Sequence, residues 1–360
     1  MERHISKLEI DTFRGIRGLK LDDFGDVNII TGDNNSGKTS LLEVVQSFDD
    51  PAYLKTWLGL GRSSGRRNSL SLFENFDMLF DVDSEQKKVL YKADFDGIDY
   101  TVSLDAVMQY ATLRKSQMEE LMGLRDVNRE EDGIEEVTAY ETRISINGLK
   151  GKKEVVYDFQ QTFNFFSPKE ECKNIIRISP EDHVTGTLFL SEILNESELY
   201  GEMLEILRLF DSDIISINAD KSDGIYRNPS IIYKILSKKH QKAIPLNMYG
   251  DGMKKAVLLM SALIRAKNSV LLLDEFETAI HTSAMTWVFK WILETAKRLN
   301  VQIFMTSHSD EAIMKVLECS PELQGDIRQI TLYKNNDKTV ARVLDGKRAL
   351  TLRKKGVELR

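Results

Sequence analysis

Hydrophobic and polar residues alternate at the start of the chain in a pattern that predicts short β-strands. Ile5 to Asp11 alternates, and Arg14 to Leu21 forms a second strand-like stretch. The apolar run Val27 to Ile30 has the character of a buried strand, and from Ser40 onward the apolar spacing and the helix-favouring residues predict a helix. The pattern therefore predicts a small sheet and then a strand, a glycine-containing loop and a helix.

The middle of the chain predicts antiparallel structure and some helix. Asp96-Gly97 and Asn147-Gly148 are hairpin-turn pairs, each flanked by strand-like runs. Between them, Val107 to Leu124 has a helix-like pattern, and the polar run from Asn128 to Glu136 predicts a solvated loop. Further on, apolar residues recur at helical intervals from Glu192 to Phe210, so we expect a short helical bundle that is interrupted at Gly201.

The last third alternates between helix and strand, which predicts a parallel α/β sheet. The expected elements are a helix at Met253 to Arg265, a strand at Ser269 to Leu273, a helix at Met285 to Leu299, a strand at Gln302 to Thr306 and a helix at Glu311 to Leu317. A hairpin of Ile330 to Tyr333 with Thr339 to Val343 follows, before a basic tail at Arg353-Lys354-Lys355.

Composition narrows the class of protein. Hydrophobic residues make up 42% of the 360 residues and charged residues 29%, as in an ordinary globular protein. The formal net charge of -7 argues against a polyanion partner over the whole surface, although a local patch could bind nucleic acid. Cys172 and Cys319 lack the spacing of a disulfide framework or a zinc site. The first residues contain no apolar run of signal or membrane length, so we expect a cytoplasmic protein without a membrane partner.

The loop after the third strand matches the phosphate-binding motif G-x-x-x-x-G-K-[ST], in the strand-loop-helix context that this motif requires. Its amides and the positive end of the helix would hold the phosphates of ATP, Lys38 would neutralise the β- and γ-phosphates, and Thr39 would bind Mg²⁺. The expected nucleotide-binding residues here are Gly32, Asp33, Asn34, Asn35, Ser36, Gly37, Lys38, Thr39 and Ser40.

Two later strands end in polar residues that suit the same site. The apolar run from Val270 to Leu273 ends in Asp274 and Glu275, an unfavourable arrangement unless the carboxylates face a functional site. We expect Asp274 to hold the metal and Glu275 to polarise the water that attacks the γ-phosphate. The next strand ends in Thr306-Ser307-His308, and His308 could contact the γ-phosphate.

With these motifs in place, the chain resembles the ABC-type ATPases of the OLD and RecF group, which includes the SMC and Rad50 heads. The resemblance implies a Walker B pair at Asp274-Glu275, a D-loop histidine at His281, a switch histidine at His308, and an early arginine, Arg14, aimed at the nucleotide. It also implies a signature segment from Tyr249 to Lys255, whose Gly250, Asp251 and Gly252 would contact the γ-phosphate of an opposing subunit. Gly250, Phe276 and Ala279 depart from the residues usual in the family.

The fold that this resemblance implies is an α/β P-loop NTPase of the ABC-ATPase type: a mixed N-terminal β-sheet and a parallel α/β core with a helical and β insertion. The expected division is 1–90 for the part carrying the P-loop, 91–235 for the insertion and 236–360 for the part carrying the signature, Walker B and switch histidine. No Q-loop glutamine can be assigned among Gln46, Gln86, Gln160 and Gln161. The Toprim nuclease domain of OLD endonucleases and the coiled-coil arms of Rad50 are not expected.

Three functions follow as hypotheses. The first is an ATP-driven homodimer, or higher oligomer, that regulates a separate effector such as a nuclease in bacterial antiphage defence. The second is a RecF-like ATPase that clamps DNA through local basic residues such as Arg62, Arg66 and Arg67, although a solvated loop explains these arginines equally well. The third is a scaffold stabilised by ATP with little turnover.

Overall fold

The computed structural model describes residues 3–60, 72–114, 134–148, 151–157, 173–185, 188–221 and 231–359. The strands are β1 (Ile5–Phe13), β2 (Ile16–Leu21), β3 (Val27–Gly32), β4 (Lys87–Phe95), β5 (Ile98–Arg114), β6 (Ile134–Gly148), β7 (Gly151–Tyr157), β8 (Ile176–Ile178), β9 (Ile214–Lys221), β10 (Ile231–Ser237), β11 (Ile244–Pro245), β12 (Val270–Leu273), β13 (Gln302–Thr306), β14 (Ile327–Asn335) and β15 (Lys338–Asp345). The helices are α1 (Lys38–Ser47), α2 (Leu54–Leu58), α3 (Leu72–Asp77), α4 (Asp182–Thr185), α5 (Leu190–Leu194), α6 (Ser197–Phe210), α7 (Asp251–Arg265), α8 (Thr282–Leu299), α9 (Asp310–Cys319) and α10 (Gly346–Lys354), with 3₁₀ turns at Leu246–Met248 and Pro321–Asp326.

An antiparallel sheet in the order β2-β1-β4-β5-β6-β7 forms one layer. The hairpin between β4 and β5 turns at Asp96 and Gly97, which both have positive φ, as the sequence predicts. The second predicted hairpin also forms, between β6 and β7, but Asn147 and Gly148 belong to the end of β6 rather than to the turn. The N-terminal sheet of the prediction is therefore confirmed, and all of its pairings are antiparallel rather than mixed.

A second sheet, in the order β15-β14-β3-β13-β12-β8, carries the parallel core. Its pairings are parallel from β14 to β8, and β15 is added antiparallel at one edge. Strand β13 shows why its run is continuously apolar: Ile303 and Met305 belong to the core beneath helices α5–α9, whereas Phe304 belongs to the core shared with α1 and the first sheet. A strand that is buried on both faces has no polar side to alternate.

Parts of the predicted insertion differ from the structure. Val107 to Arg114 belongs to strand β5 and not to a helix, because it pairs with β6 along its length; the rest of that predicted helix lies outside the described residues. The predicted loop likewise ends earlier, since β6 begins at Ile134. Helix α6 runs through Gly201 without a break. The interruption lies instead at residues 195 and 196, between α5 and α6.

Three further features were not predicted from the sequence. Strands β9, β10 and β11 form a small antiparallel sheet, and β8 is a strand of only three residues. The basic tail is also helical, because α10 extends to Lys354. The division at residues 90 and 235 stays a prediction, and its first boundary falls within β4. None of the helices in the described part of the chain combines the length and apolarity that a membrane span requires.

Candidate nucleotide site

The phosphate-binding loop lies between β3 and α1, where the sequence predicts it. Gly32 has a φ of 140° and Gly37 a φ of 104°, a region that side chains rarely adopt. At Gly32 a Cβ atom would stand 2.2 Å from the carbonyl oxygen of Leu332, so a side chain has no room there. The two glycines let the loop turn tightly into the N-terminus of α1, whose free amides and positive dipole end favour an anion.

Lys38 points back into this loop. Its Nζ donates to the carbonyl oxygens of Gly32 at 2.8 Å and Asp33 at 2.9 Å. Burial lowers the pKa of Lys38, and the negative charges of Asp33, Asp274 and Glu275 oppose that shift. Beside it, the buried hydroxyl of Ser36 has no hydrogen-bond partner among the described residues. A buried donor of this kind is expected to bond a ligand, so the loop fits a phosphate group.

Asp274 collects donors from three different elements. One of its carboxylate oxygens accepts from Thr306 Oγ1 at 2.7 Å and from Thr39 Oγ1 at 3.3 Å. The other accepts from Arg177 Nη2 at 3.1 Å. A hydroxyl beside a buried carboxylate is the hard oxygen set that Mg²⁺ prefers, so Thr39 and Asp274 fit the metal roles predicted for them.

Glu275 has a strained position next to Asp274. It is exposed, its φ is 44°, and its amide donates to Thr306 Oγ1 at 2.8 Å. Non-glycine residues in this region of backbone space often occur at functional sites, where the surrounding structure holds them. Thr306 thus orients both acids of the pair, Asp274 through its side chain and Glu275 through its backbone.

His308 and the P-loop share one cavity of about 760 Å³. Glu277 fixes the start of the segment that carries His308, because one Glu277 carboxylate oxygen accepts from Ser307 Oγ at 2.8 Å and from the His308 amide at 3.2 Å. The remaining wall residues of the cavity are Arg14, Gly15, Asn34, Asn35, Gly37, Lys38, Thr39, Ser40, Asn75, Met78, Phe80 and Val82. The structure therefore brings most of the predicted phosphate-binding residues and His308 to one cavity, whereas Gly32, Asp33 and Ser36 do not line it.

Arg14 lines this cavity, but its guanidinium group is bonded to the protein. Its Nε lies 2.7 Å from a carboxylate oxygen of Glu43, which is fully buried in α1. Nη1 donates to the carbonyl oxygen of Met78 and Nη2 to that of Leu60, both at 2.8 Å. Arg14 is therefore a wall residue whose charge is directed towards α1.

The signature segment lies away from this cavity. Gly250 precedes α7, Asp251 and Gly252 open the helix, and none of these three is among the residues that line the cavity. Asp251 forms an ion pair of 2.6 Å with Lys254, one turn along. His281, predicted in the D-loop, accepts from the amide of Ser283 as the N-cap of α8. Ala279, where the family usually has glycine, has a φ of 69°, which explains why glycine is favoured at that position.

Several residues of the site were missed from the sequence. Arg177 is the most important of them, because it joins Asp274 to Gln46, whose side-chain oxygen accepts from Arg177 Nη1 at 3.1 Å, and approaches Glu43 at 4.0 Å. The β-branched run Ile175-Ile176-Arg177-Ile178 suits a strand, but it is too short to stand out. Gln86 is not part of this network, and Gln160 and Gln161 lie outside the described residues.

A family of AAA domains, described as "AAA domain, putative AbiEii toxin, Type IV TA system", matches residues 128–314. This segment covers more than half of the 360 residues. The chain belongs to this family. The matched segment of this AAA domain includes the signature, Asp274, Glu275 and His308, and it begins after the P-loop.

Individual relatives agree with the family. An "ATP/GTP phosphatase" of Helicobacter pylori is 26% identical over 346 residues, which covers 86% of each chain. A "DNA replication and repair protein RecF" of Shewanella sediminis is 31% identical over 122 residues, or 31% of this chain and 30% of that protein. The structure of an SMC head bound to the C-winged helix domain of ScpA has the same fold, with a TM-score of 0.50 at 12% identity, covering 96% of this chain and all of that one. This AAA domain is therefore an ATPase with the ABC-type fold of the SMC heads, and part of its sequence is similar to RecF.

Proposed function

We propose that this protein hydrolyses ATP with Mg²⁺ at the site formed by Lys38, Thr39, Asp274 and Glu275, and that it closes as a homodimer to do so. The observation that carries the proposal is the convergence on Asp274, whose carboxylate is held by Thr306 and Arg177 beside the P-loop hydroxyl of Thr39. Lys38 would offset charge on the β- and γ-phosphates, and the ion bound by Thr39 and Asp274 would neutralise charge that develops on the phosphate oxygens.

Glu275 would act as the base that orients the attacking water. Its carboxylate is exposed at the end of β12, while its backbone is fixed through Thr306. His308 would contact the γ-phosphate from the same cavity, and the Glu277 hydrogen bonds would hold it in place. Hydrogen bonds to the carbonyl oxygens of Gly32 and Asp33 hold the Lys38 ammonium at the loop, where it would exchange them for phosphate oxygens.

The homodimer is proposed because the signature segment of one copy would complete the site of another. The start of α7 offers an open anion-binding terminus, since a Cβ atom at Gly250 would meet nothing within 4 Å. Gly250, Asp251 and Gly252 are free of the P-loop cavity of their own chain, which suits a contact made across an interface. Each dimer would then close over two nucleotides.

The biological role we propose is that of an OLD-like, cytoplasmic ATPase that regulates or drives a separate effector, such as a nuclease, in antiphage defence. The family description, which names a toxin of a toxin–antitoxin system, supports a regulated partner of this kind. The similarity to RecF supports a second candidate, a DNA-clamping ATPase; its suggested arginines, Arg62, Arg66 and Arg67, lie outside the described residues. An ATP-stabilised scaffold with little turnover is the remaining candidate function.

Turnover and oligomeric state together test these proposals. We expect Lys38→Ala to lose ATP binding, and Glu275→Gln to keep ATP binding, lose turnover and accumulate as a dimer in light scattering. Gly250→Asp would place a carboxylate against the partner's γ-phosphate and abolish the dimer, whereas Gly325→Asp, another glycine with open space around its Cβ, serves as the matched control.

The outcomes separate the candidates. Stimulation of turnover by duplex DNA would favour the clamp, and indifference to DNA would favour the effector-controlling ATPase. Absence of turnover in the parent protein with ATP and Mg²⁺ would favour the scaffold and contradict the hydrolytic proposal. A Gly250→Asp protein that dimerises with ATP as the parent does would contradict the trans contact.

A further inference from the structure

Large apolar side chains are exposed on the two surfaces that the proposed dimer would bring together. In the P-loop cavity, Val82 is 81% exposed and Met78 is 45% exposed; these two residues are the cavity set. Beside the signature segment, Met248 is 74% exposed, Val184 64% and Ile231 58%; these three are the signature set. Four of the five most exposed large apolar side chains among the described residues belong to these sets. Such clusters beside a functional site mark a surface that another molecule covers.

The signature set is continuous with the start of α7. Met248 ends the 3₁₀ turn two residues before Gly250, so their Cα atoms are at most about 7 Å apart. Val184 and Ile231 line a cavity of about 230 Å³ that also includes Lys254, in the first turn of α7. An apolar surface therefore lies beside the segment that the proposed function assigns to the partner's γ-phosphate.

We propose that the signature set of one copy packs against the cavity set of a second copy when the dimer closes over ATP. The inference rests on the proposed function, because only the contact between one copy's Gly250 and the other's P-loop would bring the two sets together. Val82 lines the same cavity as Lys38, so a signature segment that reaches the γ-phosphate carries Met248 to the rim of that cavity. In a two-fold dimer the contact occurs twice, since each copy presents both sets.

The size of a stable interface explains why the signature segment needs apolar neighbours. Specific dimers bury about 1,200–2,000 Å² in total, and the centre of such an interface is its most apolar part. Gly250 and Gly252 have no side chains, and Asp251 is charged and paired with Lys254, so these residues bury little apolar area. The formal net charge of -7 also makes two copies repel one another. The two apolar sets supply the attraction that the signature glycines do not.

Both sets are held in place by the protein behind them. Arg17 bonds both carboxylate oxygens of Asp81, the residue before Val82. The turn that carries Met248 is anchored by Leu246, which is buried in the helical core. Surfaces that are already ordered lose less conformational entropy on association. We therefore expect the two copies to meet as preformed surfaces.

Serine substitutions test the contact through the strength of the dimer. The background is Glu275→Gln, which is expected to hold ATP and to accumulate as a dimer. In that background, Met248→Ser combined with Val184→Ser should raise the Kd of the ATP-bound dimer at least about tenfold in analytical ultracentrifugation. Val107→Ser combined with Met108→Ser, at two exposed apolar residues that line neither cavity, is the matched control and should leave this Kd unchanged. ATP binding at concentrations where the chains are monomeric should be unchanged in both.

Cross-linking tests which residues meet. Met248→Cys and Val82→Cys are prepared as separate proteins, again with Glu275→Gln, and treated with a short bis-maleimide. We expect a covalent dimer with ATP only when the two variants are mixed, because Met248 of one copy would then face Val82 of the other. Neither variant alone should give this product, and these reactions also measure any background from Cys172 and Cys319.

The results separate this contact from the dimer itself. A double serine variant that dimerises as tightly as its Glu275→Gln background, or no more weakly than the control, would overturn the apolar contact and leave the dimer standing. A mixture without the cross-link would also refute the contact, whatever the strength of the dimer. A Glu275→Gln background that stays monomeric with ATP would overturn the proposed dimer and this contact together. Loss of ATP binding by the monomeric serine variant would assign the signature set to the nucleotide site of its own chain, which contradicts the contact as well.

Discussion

Replacing Glu43 by glutamine tests the buried ion network that supports the site. Glu43 is fully buried, with its carboxylate oxygens 2.7 Å from Arg14 Nε and 4.0 Å from Arg177 Nη1. Glutamine keeps the shape of the side chain but removes the charge, which leaves two arginines near a neutral residue. Removing one partner from a buried ion network costs on the order of 3–5 kcal/mol. Arg14 keeps its carbonyl acceptors and Arg177 keeps its hydrogen bond to Asp274. We therefore expect the loss in free energy of unfolding to lie at the lower end of this range, about 3 kcal/mol.

The change in melting temperature follows from the size of the chain. At roughly 2.1 cal/mol/K per residue, unfolding of 360 residues as one cooperative unit has an entropy of about 0.8 kcal/mol/K, so Tm should fall by about 4 °C. Differential scanning calorimetry of Glu43→Gln measures this, and Glu85→Gln, at an exposed glutamate, is the control. ATP turnover should fall too, because Arg177 holds Asp274. A Tm shift no larger than that of the control would refute the reasoning.

Two further predictions concern Thr306 and Lys255, to which the sequence assigns no individual role. Thr306→Val should lower kcat by about 10–100-fold while ATP binding remains, because Asp274 and Glu275 lose their shared partner; Thr295→Val, also buried, is the control, and unchanged kcat would contradict this role. Burial lowers the pKa of Lys255 in the folded protein below its ordinary value of 10.5. Between these two values the unfolded chain binds more protons than the folded one, so the free energy of unfolding rises with pH. Lys255→Met should therefore raise Tm at pH 7, by an amount that shrinks as the pH approaches 10.5, and thermal melts at both pH values check this; a lower Tm at pH 7 would contradict it.

The sequence predicts the local parts of the site well. The P-loop depends on consecutive residues, so its spacing alone predicts a strand, a loop and a helix in that order, and the structure has Gly32 at the end of β3 and Lys38 and Thr39 in the first turn of α1. The strand that precedes Asp274 can also be predicted, because burial on both faces gives it a continuous apolar run. In both cases the physical cause of the structure lies within one short segment.

The insertion could not be predicted in the same way. Val107 to Arg114 contains residues that suit a helix, but pairing with distant β6 determines its conformation. Gly201 would interrupt an isolated helix, yet Leu199, Met203 and Leu207 of α6 are buried in the helical core and hold the helix together across it. Tertiary packing outweighs local propensity in both segments, and no single-segment pattern reports it.

Register between strands decides the chemistry at Asp274. In the parallel pairing, Leu273 lies opposite Met305 of β13 and Ile178 of β8, so Asp274 emerges beside Thr306 and within reach of Arg177. A shift of β13 by one residue would turn Thr306 to the other face of the sheet, because side chains alternate along a strand. The carboxylate would then lose its 2.7 Å partner and the Glu275 amide its acceptor. The motif supplies the acids, but the apolar packing of β12 between its neighbours holds them in a geometry that can bind a metal ion.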